Sequence, residues 1–102
     1  MKFRKKPVVI EAWPVAELLA AASDDWRTLP EPVRAAYELG DVLFLPEGMD
    51  IRTLESTTKT GLLFAPFTDM LICGVKGELY PCKPDIFAAT YEPVGPEPEE
   101  TK

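Results

Sequence analysis

Several side chains able to move protons or form covalent bonds fall close together in one stretch of this chain. Glu78 and Asp85 flank a segment that holds Tyr80, Cys82 and Lys83, with Lys76 just upstream. Two carboxylates sharing a groove can divide the roles of general acid and general base, because the charge on one disfavours ionisation of the other. A thiol next to a lysine can become a nucleophile when the ammonium lowers its pKa. Plainer roles compete with both: Lys76 as a soluble turn residue, Asp85 as a helix cap, Cys82 as a packing residue. The chain has no histidine, which excludes Ser-His-Asp and Cys-His pairs and every zinc site built on imidazole. Asp24 and Asp25 are adjacent, so their side chains diverge. Gly74-Val75-Lys76-Gly77 lacks the glycine spacing and the following helix of a phosphate loop. Trp13 and Trp26 read as core anchors rather than stacking platforms.

These residues must be positioned by a hairpin, and its turn sets their faces. Asp69-Met70-Leu71-Ile72-Cys73 and Glu78-Leu79-Tyr80-Pro81-Cys82 are extended runs around Gly74-Val75-Lys76-Gly77. A two-residue loop would force Val75 to positive φ, which a β-branched residue resists. A type I turn followed by a left-handed Gly77 avoids that cost and gives a three-residue loop with a glycine bulge. Gly74 then faces Glu78, Cys73 meets Leu79, Ile72 meets Tyr80, Met70 meets Cys82, and Asp69 meets Lys83 as an opposite-charge pair. This puts Cys73 and Cys82 on opposite faces and three residues out of line. At ~3.3 Å per residue the offset is roughly 10 Å, beyond the ~7 Å limit for a bridge. Two free thiols are expected, Cys73 in the core, as suits a reducing compartment.

The remaining elements follow from period and punctuation. Lys2 to Trp13 reads as a strand, with pairing limited by Pro7 and ended by Pro14. Val15 to Ala22 is rich in helix formers, with Val15, Leu18, Leu19 and Ala22 on one face, and Ser23-Asp24-Asp25 breaks it. Thr28-Leu29-Pro30-Glu31 matches a capping box opening a second helix, which Gly40 stops at a left-handed position. Strands are expected at Val42–Leu45, at Asp50 to Leu54, and at Leu62–Ala65 after a polar turn from Ser56 to Gly61. Asp85 to Ala89 reads as one helical turn capped by Asp85. The predicted class is α+β: two short helices packed on a mostly antiparallel, strongly bent sheet. Residues 1–94 form a single globular domain, and residues 95–102 a disordered, acidic, proline-rich tail.

Composition narrows the partners. The 102 residues are 46% hydrophobic, carry 11 basic against 17 acidic side chains, and have a net charge of −6. The tail contributes −2, so the body is acidic as well, at −4. Such a surface repels a nucleic-acid backbone, which predicts no nucleic acid partner. No apolar run approaches the ~18–20 residues of a membrane span. The basic start, Met1 to Pro7, is followed by only Val8-Val9-Ile10 before Glu11, so no secretory leader is read and a cytoplasmic location is expected.

Two blocks resemble a known family. Met1 to Ala12, and Gly74-Val75-Lys76-Gly77-Glu78-Leu79-Tyr80-Pro81-Cys82-Lys83-Pro84-Asp85-Ile86-Phe87 with Thr90-Tyr91-Glu92-Pro93-Val94, look like a family of small bacteriophage and prophage proteins of mostly unassigned function. Ile51-Arg52-Thr53-Leu54-Glu55 is similar to a strand of that family. Where the family often carries Pro-Gly-Asp followed by Tyr or Trp, this chain has Pro66-Phe67-Thr68-Asp69-Met70. The resemblance implies a phage origin and no mechanism. The expected function is that of a phage-encoded accessory protein acting by binding, without catalysis or cofactor. It would occupy a host or defence protein, or sequester a small ligand, through Lys76, Glu78, Tyr80, Lys83 and Asp85. Two alternatives are a virion structural or assembly component, possibly a homo-oligomer, and a small enzyme using Glu78, Asp85 and Cys82.

Overall fold

The computed structural model describes residues 1–4, 6–53 and 61–94. The expected polar turn from Ser56 to Gly61, apart from Gly61 itself, which opens a strand, the end of the strand at Leu54, and the tail 95–102 lie outside these residues. Among the described residues the elements are β1 (Glu11–Pro14), α1 (Val15–Asp24), a 3-10 turn (Trp26–Thr28), α2 (Glu31–Glu38), β2 (Val42–Leu45), β3 (Gly48–Thr53), β4 (Gly61–Pro66), β5 (Met70–Cys73), β6 (Leu79–Cys82) and α3 (Pro84–Thr90). The class is α+β. The expected bent sheet is divided into two antiparallel sheets of three strands, ordered β1-β5-β6 and β2-β3-β4. The ladder breaks between β4 and β5 because Pro66 ends β4 and the short link is tied elsewhere. Phe67 N–H donates to Glu47 O, Asp69 N–H to Pro66 O, and Val15 N–H to Asp69 O.

Local chemistry explains each boundary. The β5–β6 hairpin has the anticipated register, Cys73 opposite Leu79 through Met70 opposite Cys82. Its turn closes with Gly74 N–H on Glu78 O and Gly77 N–H on Gly74 O, and Gly77 adopts φ +83°. Asp69 and Lys83 form no ion pair; Asp69 is buried just before β5 while Lys83 is exposed before α3. Pairing of β1 covers only Glu11–Pro14, shorter than the run from Lys2, because β5 offers four partners and ends where Gly74 begins the turn. Gly40, φ +82°, ends α2 as expected: its N–H reaches Tyr37 O and that of Asp41 reaches Ala36 O, satisfying two orphan carbonyls.

Two caps differ from expectation. Pro30 is the residue preceding α2, and no side chain caps that helix. Thr28 is instead drawn back into the 3-10 turn, where its hydroxyl donates to Asp25 O at 2.7 Å. The true cap there is Asp25, which accepts from Arg27 N–H at 3.1 Å and is held below the usual carboxylate range by the Arg27 guanidinium and amide. Asp85 lies inside α3 rather than before it, and its carboxylate accepts from the N–H of Ile86 at 2.9 Å.

The core gathers Val15 and Leu18 of α1, Leu29, Val33 of α2, Val42, Met49, Ile51, Ala65 and Leu71. Cross-strand pairing puts Val42, Ile51 and Leu63 on one face of the second sheet, together with Phe44, Met49 and Ala65. Trp13 packs against this core. Trp26, expected inside, sits at the surface with 36% exposure. Its ring meets Tyr37 edge-on at 5.0 Å and Phe44 at 5.8 Å, so it clamps α2 onto β2 from outside.

Candidate functional site

The two sheets do not close completely on each other. Between the inner face of β3–β4 and the strand β6 runs a cleft of about 560 Å³. Ile51, Arg52 and Leu63 form one wall, Gly77 to Pro81 the other, and Ala36 with Asp41 close the end. The apolar lining (Ile51, Leu63, Leu79, Pro81) is interrupted by Asp41, Arg52, Glu78 and Tyr80. Polar and apolar groups share the lining almost equally, so it offers a small molecule both contact area and hydrogen-bonding partners.

The structure brings together only part of the sequence-derived site. Glu78 and Tyr80 line the cleft. The Glu78 carboxylate folds over Gly74 and accepts the Lys76 N–H at 2.9 Å, so it stabilises its own turn. Lys76 is exposed at the tip of that turn. Lys83 and Asp85 lie past the other end of β6, at the start of α3, outside the cleft lining. Asp41, Arg52, Ile51 and Leu63 were not anticipated as site residues. Nothing in their local sequence marks them, because they meet the hairpin only through packing of one sheet on the other.

Titration behaviour argues against activation. Burial pushes the Cys82 thiol up, and the nearby carboxylates of Asp69 and Asp85 push the same way. This is opposite to what Lys83 was expected to do. Cys73 is raised likewise, by burial and then by Glu11 and Glu78. Both cysteines are free, on opposite faces of the hairpin, as the register required. Thiols shifted upward hold little thiolate at neutral pH and are poor nucleophiles. Among the described residues no cluster of His, Cys, Asp or Glu is arranged to hold a metal.

Among the described residues Tyr80 is the most perturbed group. Burial first, then a hydrogen bond with Tyr91 and the nearby Tyr91, Glu78 and Cys82 charges, push its phenol up to about 12. The neutral phenol is therefore the form the fold prefers. Its contribution to stability is complete below pH ~10, the unfolded value, and is lost as pH rises towards about 12. Ultraviolet titration of tyrosinate should show one phenol ionising about two pH units above an ordinary tyrosine, absent from Tyr80→Phe and lowered in Tyr91→Phe. An ordinary midpoint for every tyrosine would contradict this environment.

No helix among the described residues is long and apolar enough to cross a membrane. No family model, curated protein or solved structure matches the chain.

Proposed function

We propose that this protein is a phage-encoded accessory protein that sequesters a small ligand in the cleft between its two sheets, without covalent chemistry. The supporting observation is the cleft itself: about 560 Å³, within the ~300–1,000 Å³ of small-molecule sites, with polar and apolar groups side by side in its lining. The condition of those groups favours binding over turnover. Glu78 is engaged by its turn, Tyr80 is held protonated, and both thiols are shifted away from reactivity. The resemblance of the hairpin block to small phage proteins supports the origin, and the cytoplasm of an infected cell is the expected place of action.

Native mass spectrometry of the full chain purified from infected or expressing cells tests this reading. A bound small molecule released by heating, and lost in Leu63→Glu and Tyr80→Ala, is the expected result. An empty chain that also takes up nothing from a host metabolite extract would overturn it. Capture of a host protein that depends on Lys76, Lys83 and Asp85 but not on Leu63 would replace ligand sequestration with occupation of a partner. Recovery of the chain in stoichiometric amounts from purified particles would make it a virion component instead.

A further inference from the structure

Among the described residues the two sheets leave four edges, and they are not equally protected. β1 is four residues long, carries Glu11 and ends in Pro14. β6 holds Pro81 in its interior, so it lacks one of the N–H donors that pairing needs. β2 is four residues long and bounded by Asp41 and Pro46, with the Asp41 carbonyl already accepting the Arg52 N–H. Short strands, charges and prolines are the usual ways of blunting an edge. Among the described residues β4 has only its terminal Pro66. It is six residues long, Gly-Leu-Leu-Phe-Ala-Pro, with no charge in a chain whose residues are 27% charged. Leu62, Leu63 and Phe64 are successively 62%, 43% and 48% exposed.

We propose that β4 is a self-association edge, pairing antiparallel with β4 of a second copy about a two-fold axis at Leu63. A two-fold axis perpendicular to a sheet keeps like faces together, so it permits only registers that pair residues of the same face. Centring on Leu63 places Leu62 opposite the partner's Phe64 and Gly61 opposite its Ala65, so every facing pair is apolar or small. Charge selects among the registers. On β3, Asp50 lies beside Phe64 and Arg52 beside Leu62. With Leu63 at the axis, the row through Phe64 therefore runs from Asp50 of one copy to Arg52 of the other, and the symmetric row repeats it. Centring on Leu62 would align Arg52 with Arg52, and centring on Phe64 would align Asp50 with Asp50. The same strand thus complements itself in shape, hydrogen-bonding potential and flanking charge, and the product is one six-stranded sheet.

Sedimentation velocity of the full chain, from micromolar to several hundred micromolar, is the test. A reversible monomer–dimer equilibrium is expected, abolished by Leu62→Lys with the circular dichroism spectrum unchanged. A chain that stays monomeric throughout, or a dimer that survives Leu62→Lys, overturns the proposal. Should Leu62→Lys unfold the chain, the two β3 charges, half-buried Asp50 and exposed Arg52, carry the test. Asp50→Arg and Arg52→Asp should each weaken the dimer about threefold at low salt, and the double exchange should restore it. Equal weakening by the double exchange would overturn the Leu63-centred register.

Discussion

Leu71→Ala should lower the unfolding free energy by about 3 kcal/mol, the cost of a lost side chain plus the cavity it leaves in a site unable to collapse. Leu71 is fully buried in β5, the central strand of its sheet, with Trp13 of β1 opposite on one side and Pro81 of β6 on the other. Two flanking strands and the main core fix the walls of the cavity, which limits relaxation. For a domain of this size the loss corresponds to a fall in Tm of roughly 12–24 °C. Urea unfolding followed by circular dichroism measures it directly. Leu39→Ala serves as the control: Leu39 is 77% exposed, and its removal should change stability by no more than ~0.5 kcal/mol. A loss below about 1 kcal/mol at Leu71 would mean that β5 is not clamped as described.

The second large effect belongs to Gly48, at the start of β3. A Cβ added there would run into the Ala65 carbonyl oxygen and would lie 2.9 Å from both the Phe64 ring and Pro66 Cα. Backbone cannot swing aside as a flexible side chain does, so Gly48→Ala must displace the β3–β4 ladder. A cost of about 2–3 kcal/mol is expected, as for overpacking elsewhere. Gly40→Ala separates this clash from backbone strain. Gly40 has nothing within 4 Å of an added Cβ but holds φ +82°, so its substitution should cost only about 1 kcal/mol. Equal losses at the two positions in the same urea titration would refute the close approach. Because Leu63 of β4 lines the cleft, Gly48→Ala should also weaken ligand retention, whereas Gly40→Ala should leave it intact.

What the amino-acid sequence determined by itself was whatever depends on near neighbours along the chain. Gly77 and Val75 set the hairpin register, which in turn kept Cys73 and Cys82 apart. Gly40 fixed the end of α2, and the helical run after Pro14 fixed α1. These features rest on steric limits and hydrogen bonds closed within a few residues. Even at that range one competition was hidden, since Thr28 can bond forward to a helix or back to the Asp25 carbonyl, and the 3-10 turn decided it. Only the tertiary structure could divide the strands into two sheets, because that depends on where Phe67 and Asp69 find partners. It also decided which site residues meet. Glu78 and Tyr80 were legible from the hairpin, but Asp41, Ile51, Arg52 and Leu63 reach them across gaps of many residues. Such contacts are set by the burial of whole faces, which is non-directional and leaves no short motif, so the cleft and the open β4 edge exist only once the sheets have packed.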